Sequence, residues 1–250
     1  MKIRERIVIF AGAFGSGKTE IALNYALHAA RNGQKVALVD LDIVSPYFRS
    51  RDMAEELAAK GIEVIAPAGE LAQADLPVIV PRIHGALADP ELTVVVDVGG
   101  DDPGATALGQ FSDELKKQKY AMLLVINTCR PFTQDVAGIA QMREVIERAT
   151  HLKATGLIAN TNLAAETTPG IIRTGLTVVQ EASRNLGLPL VAAAVRADLA
   201  PQLEDLKTHL FPIEIILQPP WFRRKVMNRD RRAIILAREN QEKHPHQEQE

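Results

Sequence analysis

The sequence predicts an α/β fold: a single doubly wound, mostly parallel sheet with helices on both faces. Three observations predict it. Short apolar runs rich in Val and Ile recur along the chain, nearly continuous in apolar character, as strands buried on both faces are. Longer amphipathic segments separate these runs, which is the βαβ alternation. The first run leads straight into a glycine-rich octapeptide that opens a helix.

Taken in order, the strands expected are Ile7–Ala11, Val36–Leu41, Glu63–Ala66, Thr93–Val98, Ala121–Asn127, Gly156–Asn160 and Leu190–Val195. The helices expected between them are Lys18–Asn32, Tyr47–Lys60, Val78–Ala88, Ala105–Gln118, Thr133–Ala149 and Pro169–Asn185. Gly33, Gly61 and Gly187 stand where helix C-caps belong. Phe211–Leu217 reads as an edge strand, after which Pro219 and Pro220 break the chain. The pattern divides into a nucleotide-binding domain over 1–218 and a basic C-terminal helix with a polar tail over 219–250. That helix, Trp221–Gln241, carries Arg223, Arg224, Lys225, Arg229, Arg231 and Arg232, but Asp230 interrupts its apolar side. It is expected to pack on the domain or a second subunit, and not to lie on a membrane.

Composition narrows the function classes. The 250 residues carry 29 basic and 31 acidic side chains, a net charge of −2, so charge points to neither nucleic acid nor a membrane surface. The single cysteine, Cys129, excludes a disulfide framework and a cysteine-rich zinc site within one subunit, and fits a reducing cytoplasm. The apolar run Ile7–Ala11 is too short for a signal-peptide core, and no segment approaches the roughly 20 apolar residues of a membrane span. A cytoplasmic location is expected.

Gly12-Ala13-Phe14-Gly15-Ser16-Gly17-Lys18-Thr19 matches G-x-x-x-x-G-K-[ST] between a strand and a helix, the context that motif requires. Glycines let backbone N–H groups curl around phosphate oxygens, and the helix N-terminus adds positive potential. The loop and the next residue, Glu20, form the expected nucleotide-binding segment. Lys18 is expected to reach the β- and γ-phosphates, and the Thr19 hydroxyl to bind Mg2+.

Carboxylates follow at strand ends. Asp97 closes the run Thr93–Val96 and begins Asp97-Val98-Gly99-Gly100, a D-x-x-G pattern. Asp97 is placed on the metal side, and the Gly100 N–H near the γ-phosphate. Asp40 and Asp42 end the second strand, and alternation points them the same way. Asp40 is a candidate for the metal shell and catalysis, Asp42 the candidate that orients the attacking water. Asn160, at a late strand end, offers an amide that complements an adenine edge. The segment Asn160-Thr161-Asn162-Leu163 lacks the lysine and aspartate of a guanine site, so ATP/ADP is expected. Arg130-Pro131-Phe132 lies on the same ligand-bearing edge and is a candidate lining for a partner or substrate site.

This order of motifs resembles the MinD/ParA/NifH group, the CobQ/CobB/MinD/ParA-type P-loop nucleotide-binding domains, over roughly Ile7 to Leu199. The resemblance implies a homodimer that ATP closes and hydrolysis reopens. Two departures stand out. The family's signature lysine just after the first loop glycine is replaced by Ala13, with Arg49 or Arg51 as candidate substitutes. Gly104 stands near the position of the cluster-ligating cysteine in NifH, so no iron–sulfur cluster is expected within one subunit. The whole predicts an ATP-binding, Mg2+-dependent ATPase acting as a nucleotide-driven switch on a partner protein, in assembly, positioning, or cofactor or metal loading. Two alternatives stay open: a phosphotransferase or ATP-dependent ligase acting on a small molecule, and a non-hydrolysing ATP sensor.

Overall fold

Among the described residues eight strands form one sheet: β1 (Ile7–Ala11), β2 (Lys35–Leu41), β3 (Ile62–Ile65), β4 (Leu92–Val98), β5 (Tyr120–Ile126), β6 (Gly156–Ala159), β7 (Leu190–Arg196) and β8 (Leu210–Ile213). Their order is β3-β2-β4-β1-β5-β6-β7-β8, and every pairing is parallel. The computed structural model describes residues 1, 3–41, 53–66, 81–99 and 102–217, with 102 and 103 by their backbone alone. The expected C-terminal helix, Trp221–Gln241, and the polar tail after it lie outside the described residues.

The helices are α1 (Lys18–Arg31), α2 (Ala54–Ala59), α3 (described over 81–88), α4 (Asp102–Gly109), α5 (Ser112–Lys116), α6 (Val136–Thr150) and α7 (Pro169–Leu186). Strand alternation assigns them to two faces. Ile7, Ile9 and Ala11 of β1 share a buried cluster with Ala105 and Leu108 of α4, Ile139 and Ile146 of α6, and Leu176 and Val179 of α7. The intervening Phe10 turns the other way and meets Tyr25 of α1 edge to face, with ring centroids 5.6 Å apart. The sheet is therefore covered on both sides, which is why its strands carry apolar residues at successive positions. No helix among the described residues is long and apolar enough to cross a membrane.

Among the described residues three elements differ from the sequence expectation, while the first part of the helix expected over Tyr47–Lys60 lies outside the described residues. α6 begins at Val136, after its Asp135 cap, and not at Thr133. The segment expected as one helix over Ala105–Gln118 is two, α4 and α5, because the chain turns at Gln110 and Phe111 and buries the Phe111 ring in the core. The edge strand is shorter than Phe211–Leu217. β8 stops at Ile213, and side chains of α1 then take over the pairing. Asn24 donates its Nδ2–H to Glu214 O and accepts from Glu214 N, both at 2.9 Å, and Glu20 Oε1 accepts from Ile216 N at 2.5 Å. Asn24 thus pairs with the Glu214 backbone as a neighbouring strand would, just past the end of β8. Pro212 is tolerated in β8 because the strand lies at the edge.

Candidate functional site

The loop Gly12–Thr19 runs from the end of β1, the strand between β4 and β5, into α1. Gly15 and Gly17 hold φ of 73° and 85°, left-handed values that turn the chain back on itself at the mouth of the helix. Gly17 is the N-cap of α1 and has no side chain with which to cap it. By contrast, Asp135 caps α6 by accepting from Gly138 N, and Thr168 caps α7 by accepting from Ile171 N. An N-terminus without a side-chain cap, opened by a glycine turn, presents N–H groups and positive potential to an anion. Lys18 and Thr19 form the first helical positions and are 4% and 8% exposed.

Sheet register brings the carboxylates to this mouth. Asp40 of β2 pairs with Asp97 of β4, and Asp97 pairs with Phe10 of β1. Their neighbours Val39, Leu41, Val96 and Val98 belong to the cluster under α4, α6 and α7. Alternation therefore turns Asp40, Asp97 and Phe10 to the α1 face, the face on which Lys18 and Thr19 lie. Both carboxylates are 0% exposed. Charged groups buried this deeply are matched by cations or metal ions.

The outer rim of the loop is held from β5 and β6. Asn160 Nδ2–H donates to Ser16 O at 2.7 Å. Asn127 Nδ2–H donates to Gly15 O at 3.4 Å and to Asn162 O at 3.1 Å, while its Oδ1 accepts from Cys129 N and Asn162 N. Arg130 Nε–H donates to the same Gly15 O at 3.2 Å. Asn162 Nδ2–H closes the network on Asn160 O. Behind it, the Thr128 and Thr161 hydroxyls lie 2.9 Å apart and press on α7 at Gly175, where a Cβ would fall 2.0 Å from Thr161 Oγ1.

Asn160 thus stands at the strand end the sequence indicated, but one of its amide N–H groups holds the loop. Asn127 was missed. Its signal was present: an asparagine closing an apolar run, as Asn160 does. Arg130 was placed on this edge, yet its contact with the loop was not foreseen. Asp42, Arg49, Arg51 and Gly100 lie outside the described residues. Ala13 occupies the position of the signature lysine and, with Met142, Val145 and Ile146, lines an apolar groove beside Phe132. Phe14 and Phe132 are 74% and 85% exposed, and Phe132 holds a left-handed φ of 70°. Cys129 is half-buried at the end of β5.

Comparison with known proteins agrees with this geometry. The family model for the CobQ/CobB/MinD/ParA nucleotide binding domain matches residues 7–181. The chain belongs to that family. No curated protein matches this CobQ/CobB/MinD/ParA-type domain. Among solved structures, the cell division protein FtsY of Thermotoga maritima is similar with a TM-score of 0.52 and 23% identity, over 76% of this chain and 61% of that one. Chloroplast FtsY of Physcomitrella patens gives 0.50 and 19%, over 77% and 59%. FtsY of Mycoplasma mycoides gives 0.50 and 20%, over 78% and 62%. At these identities the likeness shows a shared fold, and this CobQ/CobB/MinD/ParA-type domain spans about three fifths of each FtsY chain.

Proposed function

We propose that this domain binds ATP with Mg2+ and hydrolyses it as a switch that acts on a partner protein. The observation that carries the reading is the convergence of Lys18, Thr19, Asp40 and Asp97 on one face of the sheet, beneath a left-handed glycine turn at the start of α1.

The residues fit the ligand. A cradle closed to side chains at Gly15 and Gly17 suits a polyphosphate. A hydroxyl and two carboxylates are the hard oxygen donors that Mg2+ prefers, so Thr19, Asp40 and Asp97 are the residues that would hold it. Bound there, Mg2+ would neutralise charge on the terminal phosphates. The Lys18 ammonium places its charge on the β- and γ-phosphates, and the N–H groups at the start of α1 bind their oxygens. Asp42 orients the attacking water, and Gly100 gives its N–H to the γ-phosphate and relaxes when that group departs. Asn160 spends one N–H on Ser16 O, and its other N–H and Oδ1 read adenine N7 and N6.

The partner is a protein because exposed Phe14 and Phe132 stand at the rim of the loop beside an apolar groove, a surface suited to protein contact. A homodimer that closes on ATP is the accompanying expectation. The test is titration with ATP and GTP, with and without Mg2+, together with phosphate release and light scattering of the parent and Asp42→Ala. Mg2+-dependent ATP binding lost in Lys18→Ala, slow hydrolysis lost in Asp42→Ala, and an ATP-specific dimer trapped by Asp42→Ala are expected. Hydrolysis stimulated by a small metabolite would sink the partner reading in favour of a small-molecule enzyme. Tight binding without turnover would favour a sensor.

A further inference from the structure

We infer that Arg130 is a positioning residue of the phosphate loop, acting through the Gly15 carbonyl by its Nε–H and not by its charge. The inference rests on the nucleotide-binding reading above.

Three features of the structure lead to it. First, the backbone of Arg130 is held in a tight turn that Asn127 organises. Arg130 N donates to Asn127 O at 3.1 Å, Thr133 Oγ1 donates to Asn127 O at 2.8 Å, and Cys129 N donates to Asn127 Oδ1 at 3.1 Å. The turn takes the bulky Phe132 through a left-handed φ of 70°, a conformation that persists only where surrounding contacts impose it. Second, the side chain lies against the loop. A Cβ on Gly15 would meet Arg130 Nε at 3.0 Å, Cδ at 3.4 Å and Cζ at 3.6 Å, so the glycine admits the guanidinium to the backbone itself. Third, the contact is to a carbonyl. Arg130 Nε–H on Gly15 O and Asn160 Nδ2–H on Ser16 O engage two successive carbonyls.

A loop that binds phosphate turns its N–H groups inward and its carbonyls outward. Donors on two consecutive carbonyls therefore hold the N–H face in its binding orientation before a ligand arrives, which lowers the ordering cost of binding. The Asn127 contact to Gly15 O, at 3.4 Å, is too long to do this alone. The donor that matters is Nε, and the atom at the same place along a glutamine side chain is Nε2, also a donor. In lysine that place is a methylene. Glutamine, which deletes the charge, should thus rescue the function, and lysine, which keeps it, should not.

The experiment measures binding of inorganic tripolyphosphate and of ATP by calorimetry, on the full chain, for the parent, Lys18→Ala, and Arg130→Ala, Arg130→Lys and Arg130→Gln. The expected losses are about fivefold for Arg130→Ala and Arg130→Lys toward both ligands, the worth of one ordinary hydrogen bond of about 1 kcal/mol. Arg130→Gln should stay within about threefold of the parent. Lysine equal to the parent with glutamine as weak as alanine overturns the inference, because the charge would then act on the ligand directly. Losses confined to ATP, with tripolyphosphate unaffected, also overturn it, since they would place Arg130 on the nucleoside. Equal binding by all three variants does the same. A parent that binds neither ligand overturns this inference and the nucleotide-binding reading together. A parent whose binding is lost in Lys18→Ala keeps the reading intact whatever the Arg130 series shows.

Discussion

Replacing Gly17 by alanine tests the geometry of the loop where two demands meet. Gly17 has a φ of 85°, and a Cβ there would fall 2.4 Å from Asn160 Nδ2. The left-handed backbone costs an L-residue about 1–2 kcal/mol. The Asn160 amide must also move off Ser16 O, where it now sits at 2.7 Å. Leaving those buried groups without each other adds about 1–3 kcal/mol. The sum, about 2–5 kcal/mol, lowers Tm by at least about 4 °C in a chain of this size. Urea unfolding followed by circular dichroism reads the free energy, and ATP titration reads the site. A cycle with Asn160→Ala separates the two contributions. The hydrogen bond is lost once in the double variant but counted twice in the sum of the singles. The double variant should therefore be more stable than additivity predicts by about 1–3 kcal/mol. Gly17→Ala within about 0.5 kcal/mol of the parent, or strict additivity, would refute the reasoning.

Two further predictions concern the frame behind the loop and the opposite edge of the sheet. Gly175→Ala places a methyl group 2.0 Å from Thr161 Oγ1 and 2.4 Å from Thr128 Oγ1, so overpacking should destabilise by about 1–3 kcal/mol. Because Thr161 adjoins Asn160, nucleotide affinity should fall with it, and an unchanged Tm in a thermal melt would refute the close approach. Glu147 answers to pH. Burial pushes its carboxyl up, but the Lys153 ammonium, the Ala154 N–H and Arg143 together hold it below its ordinary value. A depressed folded value means stability that is present at neutral pH and is lost as pH falls through that value. Glu147→Gln should accordingly be less stable than the parent at pH 7, with the gap closing as pH drops through and below the ordinary carboxylate range. Melts at a series of pH values check this, and a gap that is constant or widens on acidification contradicts it.

Much of the fold was legible in the sequence, because a strand covered on both faces needs apolar residues at successive positions. β1 appears with its expected ends, and the other strands of the interior within one residue of theirs. Gly187 caps α7 as expected, whereas Gly33 and Gly61 each come one residue after the caps of α1 and α2, Asn32 and Lys60. The break between α4 and α5 had one local signal, Gly109, the last residue of α4; Ala105–Gln118 contains no proline, and the turn serves to bury Phe111, a demand made by the core. The end of β8 was hidden for a related reason, because Glu20 and Asn24, nearly two hundred residues away, supply the partners that end it.

For the site, the sequence by itself determined the phosphate loop and the two strand-end carboxylates. Their chemistry is local: glycines for a turn, a lysine and a threonine at a helix start, an aspartate at the end of an apolar run. Only the tertiary structure decided that Asp40 and Asp97 are direct neighbours, since strand order sets β4 between β1 and β2. It alone decided that Asn127, Arg130 and Asn160, from two other strands, grip the carbonyls of Gly15 and Ser16. Those contacts join residues more than a hundred positions apart, and no periodicity or motif encodes a distance of that kind. They exist because parallel strands end together at one edge, where the loop from β1 meets the turns that follow β5 and β6.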